Sequence, residues 1–302
     1  GEGKIGLCKT RENKNGVLYA RNYGKVTAIA LDPIEKKPLY HFYPGSRILS
    51  LGSIGCNMRC QFCQNYRISQ EEPQHRFYTP EDVLKLLEEI GDNIGVAFTY
   101  NEPLMWYEYV LETAKLIKTM RPQIKTVLVT NGYINQEPLE VLLPYIDAMN
   151  IDLKSFNDQT YHKLCGASLE PVKNTIQRTA AQCHLEVTTL MITDENDTPD
   201  EIRDLAEFIA SVSPDIPLHL SRYFPNYKMT TPATPIKRIL AAQKQAKEYL
   251  NYVFVGNLPE CDANSYCSHC GACLVERKYY HTKSKITESK CYQCGEKIPF
   301  IL

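Results

Sequence analysis

The strongest chemical signal in the chain is three cysteines in the stretch Ile48 to Arg67, Ile-Leu-Ser-Leu-Gly-Ser-Ile-Gly-Cys-Asn-Met-Arg-Cys-Gln-Phe-Cys-Gln-Asn-Tyr-Arg. Cys56, Cys60 and Cys63 follow a C-x3-C-x2-C spacing. Three thiolates this close can hold three irons of a [4Fe-4S] cluster and leave the fourth iron open to a small molecule. A zinc knuckle and three buried thiols are the competing readings, because cysteine spacing is shared among zinc, iron-sulfur and redox sites. Context favours the cluster. An apolar strand leads into the loop, Gly52 and Gly55 supply a tight turn, and strand and helix patterns repeat after it.

A second cysteine set lies near the end of the chain. Cys267-Ser-His-Cys270 and Cys291-Tyr-Gln-Cys294 give C-x2-C-x20-C-x2-C, with Gly271 and Gly295 behind each knuckle. Glycine there lets the backbone turn its amides toward sulfur, so the pattern predicts a tetrahedral four-cysteine zinc ribbon or rubredoxin-type iron. A segment this short cannot bury a sizeable core, so metal binding is expected to supply its folding energy. Cys261 and Cys273 are read as spare thiols beside it, and Cys165 and Cys183 as core.

These residues sit in a chain of 302 residues with 34 basic and 35 acidic side chains, a formal charge of -1. That balance gives no electrostatic case for nucleic acid or an anionic membrane. No apolar run is long enough to cross a bilayer. Twelve cysteines would suggest disulfides in a secreted chain, but eight of them, counting Cys273 with Cys267 and Cys270, fall in metal-like spacings, which implies a reducing compartment; a cytoplasmic location is expected. The first residue is Gly rather than Met, which fits a trimmed or tagged chain.

The elements that must position the first site alternate from residue 48 onward. Strands are predicted at 48–52, 95–100, 125–130, 148–153, 184–191, 217–222 and 251–256, with amphipathic helices between most of them. The clearest helix starts at Pro80, with Thr79 as N-cap and Leu84, Leu87 and Ile90 on one stripe. Short, nearly continuous apolar strands separated by helices predict a parallel sheet, and six such units make a partial (β/α)6 TIM-like barrel the expected α/β fold. Residues 1–47 form an N-terminal β extension or cap with short strands at Val17–Tyr19 and Val26–Leu31. The barrel spans 48–257, and the four-cysteine ribbon 258–302.

In parallel α/β folds chemistry gathers at the carboxyl ends of strands, and the polar motifs fall there. The second strand ends in Thr99-Tyr100-Asn101-Glu102-Pro103, the third in Thr130-Asn131-Gly132-Tyr133, the fourth in Asp152-Leu153-Lys154, and the sixth runs Pro217-Leu-His-Leu-Ser-Arg-Tyr-Phe-Pro-Asn-Tyr-Lys-Met. A helix-capping carboxylate is the competing reading of Glu102. Asp152 and Lys154 share a strand face, which suits either ligand contacts or a rim salt bridge. His219, Ser221 and Tyr223 share a face, with Arg222 at the rim and able to bind a carboxylate bidentately; His219 reads equally as a core histidine.

The cysteine spacing, with Phe62 before the last cysteine, resembles the radical S-adenosylmethionine (SAM) superfamily. The Asp32-Pro-Ile-Glu-Lys-Lys-Pro-Leu segment, the Asn-Glu-Pro turn and the His219 to Met229 stretch resemble the AmmeMemoRadiSam branch, related to pyruvate formate-lyase activating enzyme. The Thr-Asn-Gly and Asp-Leu-Lys motifs resemble those of glycyl-radical-activating enzymes. Where the superfamily usually has Gly-Gly-Glu-Pro, Tyr100 and Asn101 replace the glycines, and Val129 stands where an Asp often precedes Thr-Asn-Gly. The branch commonly has a cysteine cluster upstream of Gly6-Leu7-Cys8; here Cys8 is read as an ordinary thiol.

The resemblance implies a [4Fe-4S] cluster on Cys56, Cys60 and Cys63, and SAM held by Phe62, Asn101, Glu102, Thr130, Asn131, Asp152, Lys154 and Arg222. It implies an electron donor such as flavodoxin or ferredoxin, and reductive cleavage of SAM to methionine and a 5'-deoxyadenosyl radical. The substrate is then a glycyl residue of a partner protein, or a small molecule or peptide of the AmmeMemoRadiSam system. A non-enzymatic iron-sulfur and zinc scaffold is the reading from another class.

Overall fold

A computed structural model describes residues 1–258, 261–278 and 281–302. Its centre is an eight-stranded sheet: β1 (Ala28–Pro33), β2 (Arg47–Gly52), β3 (Gly95–Phe98), β4 (Lys125–Thr130), β5 (Ala148–Asp152), β6 (His184–Met191), β7 (Leu218–Arg222) and β8 (Val253–Gly256). Spatial order follows chain order from one edge to the other. β2 to β8 run parallel, and β1 pairs antiparallel with β2. All seven strands predicted from residue 48 onward form within two residues of the expected bounds.

Sequential order has a geometric consequence. Right-handed crossovers between successive parallel strands put every helix on one face, so the other face closes around a barrel-like interior. Alternation then assigns the side chains. On β6, Val187 and Met191 join the core of helix-packed residues, whereas Glu186, Thr188 and Leu190 point inward. The inner face thus carries a polar floor at the amino ends of the strands and the site at their carboxyl ends.

The floor is sealed by the N-terminal segment. Ile34, Leu39 and Phe42 pack with Ile48, Ala97, Val127 and Ala148 in a cluster apart from the main core. Above them the buried Glu186 carboxylate accepts from His184 and His219 at 2.9 and 2.6 Å and from the backbone N–H of His41 at 2.7 Å. His219 is therefore a partnered interior histidine below the site.

The helix Pro80–Ile90 forms where expected, and Thr79 and Asp82 cap it reciprocally: the Asp82 N–H donates to Thr79 Oγ1 at 3.1 Å, and the Thr79 N–H to Asp82 Oδ2 at 2.8 Å. Pro80, Val83 and Leu87 are its buried residues; Leu84 and Ile90 reach only its half-buried flank. The N-terminal strands are Arg11–Lys14 and Val17–Ala20, a hairpin, and a two-residue strand at Lys25–Val26.

At the other end, Ser265–Tyr266, Cys273–Lys278 and His281–Ser284 make a small antiparallel sheet over a core of Cys267, Leu274, Val275, Ile286, Cys291, Ile298 and Phe300. Buried Arg277 anchors it below the barrel by donating to the Tyr40 carbonyl at 2.5 Å, and ties its own sheet together by donating to the Ser265 hydroxyl at 2.8 Å. No described helix is long and apolar enough to cross a membrane.

Candidate active site

The cysteine loop leaves β2 at Gly52 and is pinned from both sides. Gly55 has φ +85°, and a Cβ there would lie 2.4 Å from the Cys8 carbonyl, so the loop can seat on residues 8–10 only with glycine at this position. Asn101 spans the loop: its Oδ1 accepts from the Ser53 N–H and its Nδ2 donates to the Gly55 carbonyl, both at 2.9 Å. On the far side the Arg59 and Gln61 amides donate to the carbonyls of Cys165 and Leu164 at 2.8 and 2.9 Å. Those acceptors belong to a π-helical turn, Tyr161–Cys165, a form that recurs at functional sites.

A cavity of about 240 Å³ opens at the carboxyl ends of the strands, and Cys56, Cys60 and Cys63 all line it. Phe62, Asn101, Glu102, Asn131, Asp152 and Lys154, expected from the motifs, line it as well. Thr130 supports it through Glu102. Arg222 stays outside: alternation turns Ser221 inward, and Arg222 donates from Nε to the Thr234 carbonyl at 2.7 Å. A larger cavity of about 400 Å³ lies beside Ile5, Lys9, Arg21 and Arg59, but none of the cysteines borders it.

Glu102 is buried and heavily bonded. Its Oε1 accepts from the Leu104 N–H at 2.9 Å and the Thr130 hydroxyl at 2.6 Å, and its Oε2 from the Asn131 N–H at 2.8 Å. A carboxylate has about four acceptor positions, so one remains for a donor in the cavity. Burial pushes its carboxyl up to about 7, against the opposing pull of those hydrogen bonds and of the Lys154 charge. Its capping of Leu104, one expected reading, coexists with its place on the cavity wall.

Lys154 Nζ lies 2.9 Å from Asp152 Oδ2, so the pair is a salt bridge that faces the cavity. Burial works against the ammonium, but Asp152, Cys60 and Cys165 outweigh it and hold the Lys154 proton more tightly than usual. Its ammonium also lies 6.0 Å from the centre of the Phe62 ring.

Among the described residues, the four sulfurs able to hold a single ion are those of Cys267, Cys270, Cys291 and Cys294, all within 4.8 Å of one another. The Cys267–Cys294 and Cys270–Cys291 sulfurs are 3.7 and 3.6 Å apart. A tetrahedron of sulfurs about 2.3 Å from zinc has edges of about 3.8 Å, so the set fits one tetrahedral ion. Cys56, Cys60 and Cys63 do not converge in that single-ion manner. They fringe a shared cavity, and amides point at sulfur, as with the Met58 N–H 3.3 Å from Cys56 Sγ. That arrangement suits a polynuclear cluster better than a zinc knuckle.

Sequence reasoning missed several wall residues. Thr188 and Leu190 lie on inward strand positions that period-two alternation could have found, as it placed Ser221; Gln64, Asn65 and Asn257 sit on loops and Ser69 on the short helix Tyr66–Gln70, with no such signal. Cys165, read as core, is buried and lies beside Cys60, where its thiol lowers the proton affinity of Cys60.

The family model of the radical SAM superfamily matches residues 51–209. An uncharacterized protein of Methanocaldococcus jannaschii is 42% identical over 313 residues, covering 100% of this chain and 92% of that protein. The pyruvate formate-lyase 1-activating enzyme of Escherichia coli is 30% identical over 132 residues, 41% of this chain and 52% of the enzyme, so the likeness spans about half of that relative. In fold, a radical SAM methyltransferase from Sphaerobacter thermophilus superposes with a TM-score of 0.55 at 15% identity, over 71% of this chain and 67% of that one.

Proposed function

This chain belongs to the radical SAM superfamily, and we propose that it cleaves S-adenosylmethionine reductively to start radical chemistry on a partner protein. One observation carries the reading: three thiols, a buried carboxylate and an Asp–Lys pair border the same cavity at the carboxyl ends of the sheet. Cys56, Cys60 and Cys63 would hold a [4Fe-4S] cluster. When bound and reduced by an external flavodoxin- or ferredoxin-like donor, that cluster would supply the electron that splits SAM into methionine and a 5'-deoxyadenosyl radical.

The chain's own part is binding and exclusion of water. Glu102 has one acceptor position left for the methionyl ammonium. The Lys154 ammonium suits the methionyl carboxylate, and Asp152 the ribose hydroxyls. Phe62 offers an apolar face to the adenine. On the open side, Tyr227 stacks on Tyr66 with centroids 4.6 Å apart, and the Lys228 N–H donates to the Gln61 carbonyl at 2.9 Å, closing the loop after β7 over the cysteine loop.

For the substrate we favour a glycyl residue of a partner enzyme over a small molecule. The Cys63-Gln64-Asn65 and Asp152-Leu153-Lys154 stretches, which both resemble motifs of glycyl-radical-activating enzymes, and the likeness to a pyruvate formate-lyase activating enzyme support that choice. The C-terminal cysteines are proposed to hold zinc, the domains to divide at residues 47 and 257, and the protein to work in the cytoplasm without nucleic acid or membrane.

The test is anaerobic. Reconstituted, dithionite-reduced protein should form 5'-deoxyadenosine from SAM, and Cys60→Ala should not; equal turnover in the variant would refute the reading. With a candidate glycyl radical enzyme present, an EPR doublet on that partner supports the activase, and its absence despite SAM cleavage favours the small-molecule alternative.

A further inference from the structure

Asn131, expected to contact SAM, lines the cavity and directs its carboxamide at the cysteine loop. Its Nδ2 lies 3.6 Å from Cys56 Sγ and 2.9 Å from Asn57 Oδ1, while its Oδ1 accepts from the Tyr133 N–H at 2.9 Å. Asn57 returns the contact by donating from Nδ2 to the Tyr133 carbonyl at 2.6 Å. Both ends of the Asn131 carboxamide are therefore engaged, and the residue is only 4% exposed. An oxygen tied to a backbone N–H dictates that the NH2 group faces sulfur and Asn57. Gly132 fixes the turn that aims it: φ is +67°, and a Cβ there would lie 2.8 Å from Ile151.

We propose that Asn131 is a positioning residue for the iron-sulfur cluster, raising its reduction potential through the N–H aimed at Cys56, and is not a SAM ligand. The inference rests on the reading that Cys56 ligates the cluster. Reduction adds negative charge that spreads onto the ligating sulfurs, so a buried N–H directed at one of them stabilises the reduced state more than the oxidised state. The Met58 N–H, 3.3 Å from the same sulfur, is a second such donor, but it comes from the loop itself and no side-chain change removes it. Asn131 reaches Cys56 from the end of a different strand, so it also ties the cluster loop to β4.

The experiment uses the full chain, reconstituted anaerobically. Iron and labile sulfide are counted, and the midpoint potential is measured without SAM by EPR-monitored titration. Asn131→Ala and Asn131→Asp should retain the iron content of the unaltered chain and shift the midpoint to more negative potential. Asp should shift it further, because it replaces a donor with a charged acceptor. An unchanged midpoint at equal iron content overturns the proposal, as does a shift seen only once SAM is added. Folded variants that take up no cluster also overturn it, making Asn131 a structural clasp. Should neither variant fold, Asn57→Ala decides: it leaves the Asn131 N–H with Cys56 as its remaining acceptor, so a midpoint at or above that of the unaltered chain supports the proposal and a lower one overturns it. If the unaltered chain itself holds no labile sulfide, it is the cluster reading that has failed.

Discussion

The Tyr100 hydroxyl donates to Asp32 Oδ2 across 2.7 Å, linking the turn before Glu102 to the N-terminal segment. Lys37 reaches the same oxygen at 2.8 Å and lies 4.6 Å from the centre of the Tyr100 ring. Tyr100 has φ +71°, a left-handed conformation that glycine adopts freely and tyrosine at a cost of about 1–2 kcal/mol. The Asp32–Lys37–Tyr100 cluster holds that conformation. It accounts physically for a bulky residue where the superfamily resemblance expects glycine, and for the clustering of Asp32, Pro33 and Lys37 in a segment far from the cysteines.

Tyr100→Phe should therefore lower stability at neutral pH by about 1.5–3 kcal/mol, the range for losing a hydrogen bond to a charged acceptor. Burial alone would raise the Asp32 carboxyl, but Lys37 and Tyr100 overcome it and hold it well below the usual carboxylate range. A depressed carboxyl stabilises above its unfolded value and loses that contribution as pH falls through the folded one. The gap between Tyr100→Phe and the unaltered protein should thus narrow in strong acid; denaturant melts at neutral and acidic pH measure it, and a gap that widens in acid would contradict the assignment.

Lys154→Met should weaken SAM binding by roughly tenfold to a hundredfold, equivalent to about 1.4–2.8 kcal/mol, with iron content retained. The change removes the cation proposed for the methionyl carboxylate and leaves Asp152 without its partner. Equilibrium dialysis on the oxidised protein reads the effect. Unaltered affinity would reduce Lys154 to a partner of Asp152 alone.

SAM affinity should fall as pH drops through about 7, approaching tenfold per pH unit, because Glu102 must shed its proton to accept from an ammonium. The free protein should show the opposite trend. A carboxyl raised by burial contributes stability present at low pH and lost as pH rises through 7. Glu102→Gln should flatten both dependences, and a pH profile of affinity that survives this substitution would assign the titration elsewhere.

Removing the metal proposed for the C-terminal cysteines should expose that region while the barrel persists. Its core is small and two of its buried members, Cys267 and Cys291, are proposed ligands, so binding energy substitutes for burial. Hydrogen exchange after chelation should rise across 265–278 and 281–300 and stay low in β4 to β6. Uniform protection with and without metal would show that the ribbon holds itself.

Residue types and spacing were enough to read the cysteine loop, the four-cysteine ribbon, seven parallel strands and the strand-end motifs, because each is a local pattern: ligand spacing, a run of apolar residues, an alternation. Tertiary structure decided what no local pattern encodes. It set the Asn131 carboxamide against Cys56, left Arg222 on the wrong side of its strand for the cavity, and brought Cys165 beside Cys60 from a helix more than a hundred residues away. It also made residues 34–43 the floor of the barrel. The physical reason is common to all of these: a side chain's partner is chosen by the closing of the sheet, which sets distances between residues that periodicity along the chain leaves free.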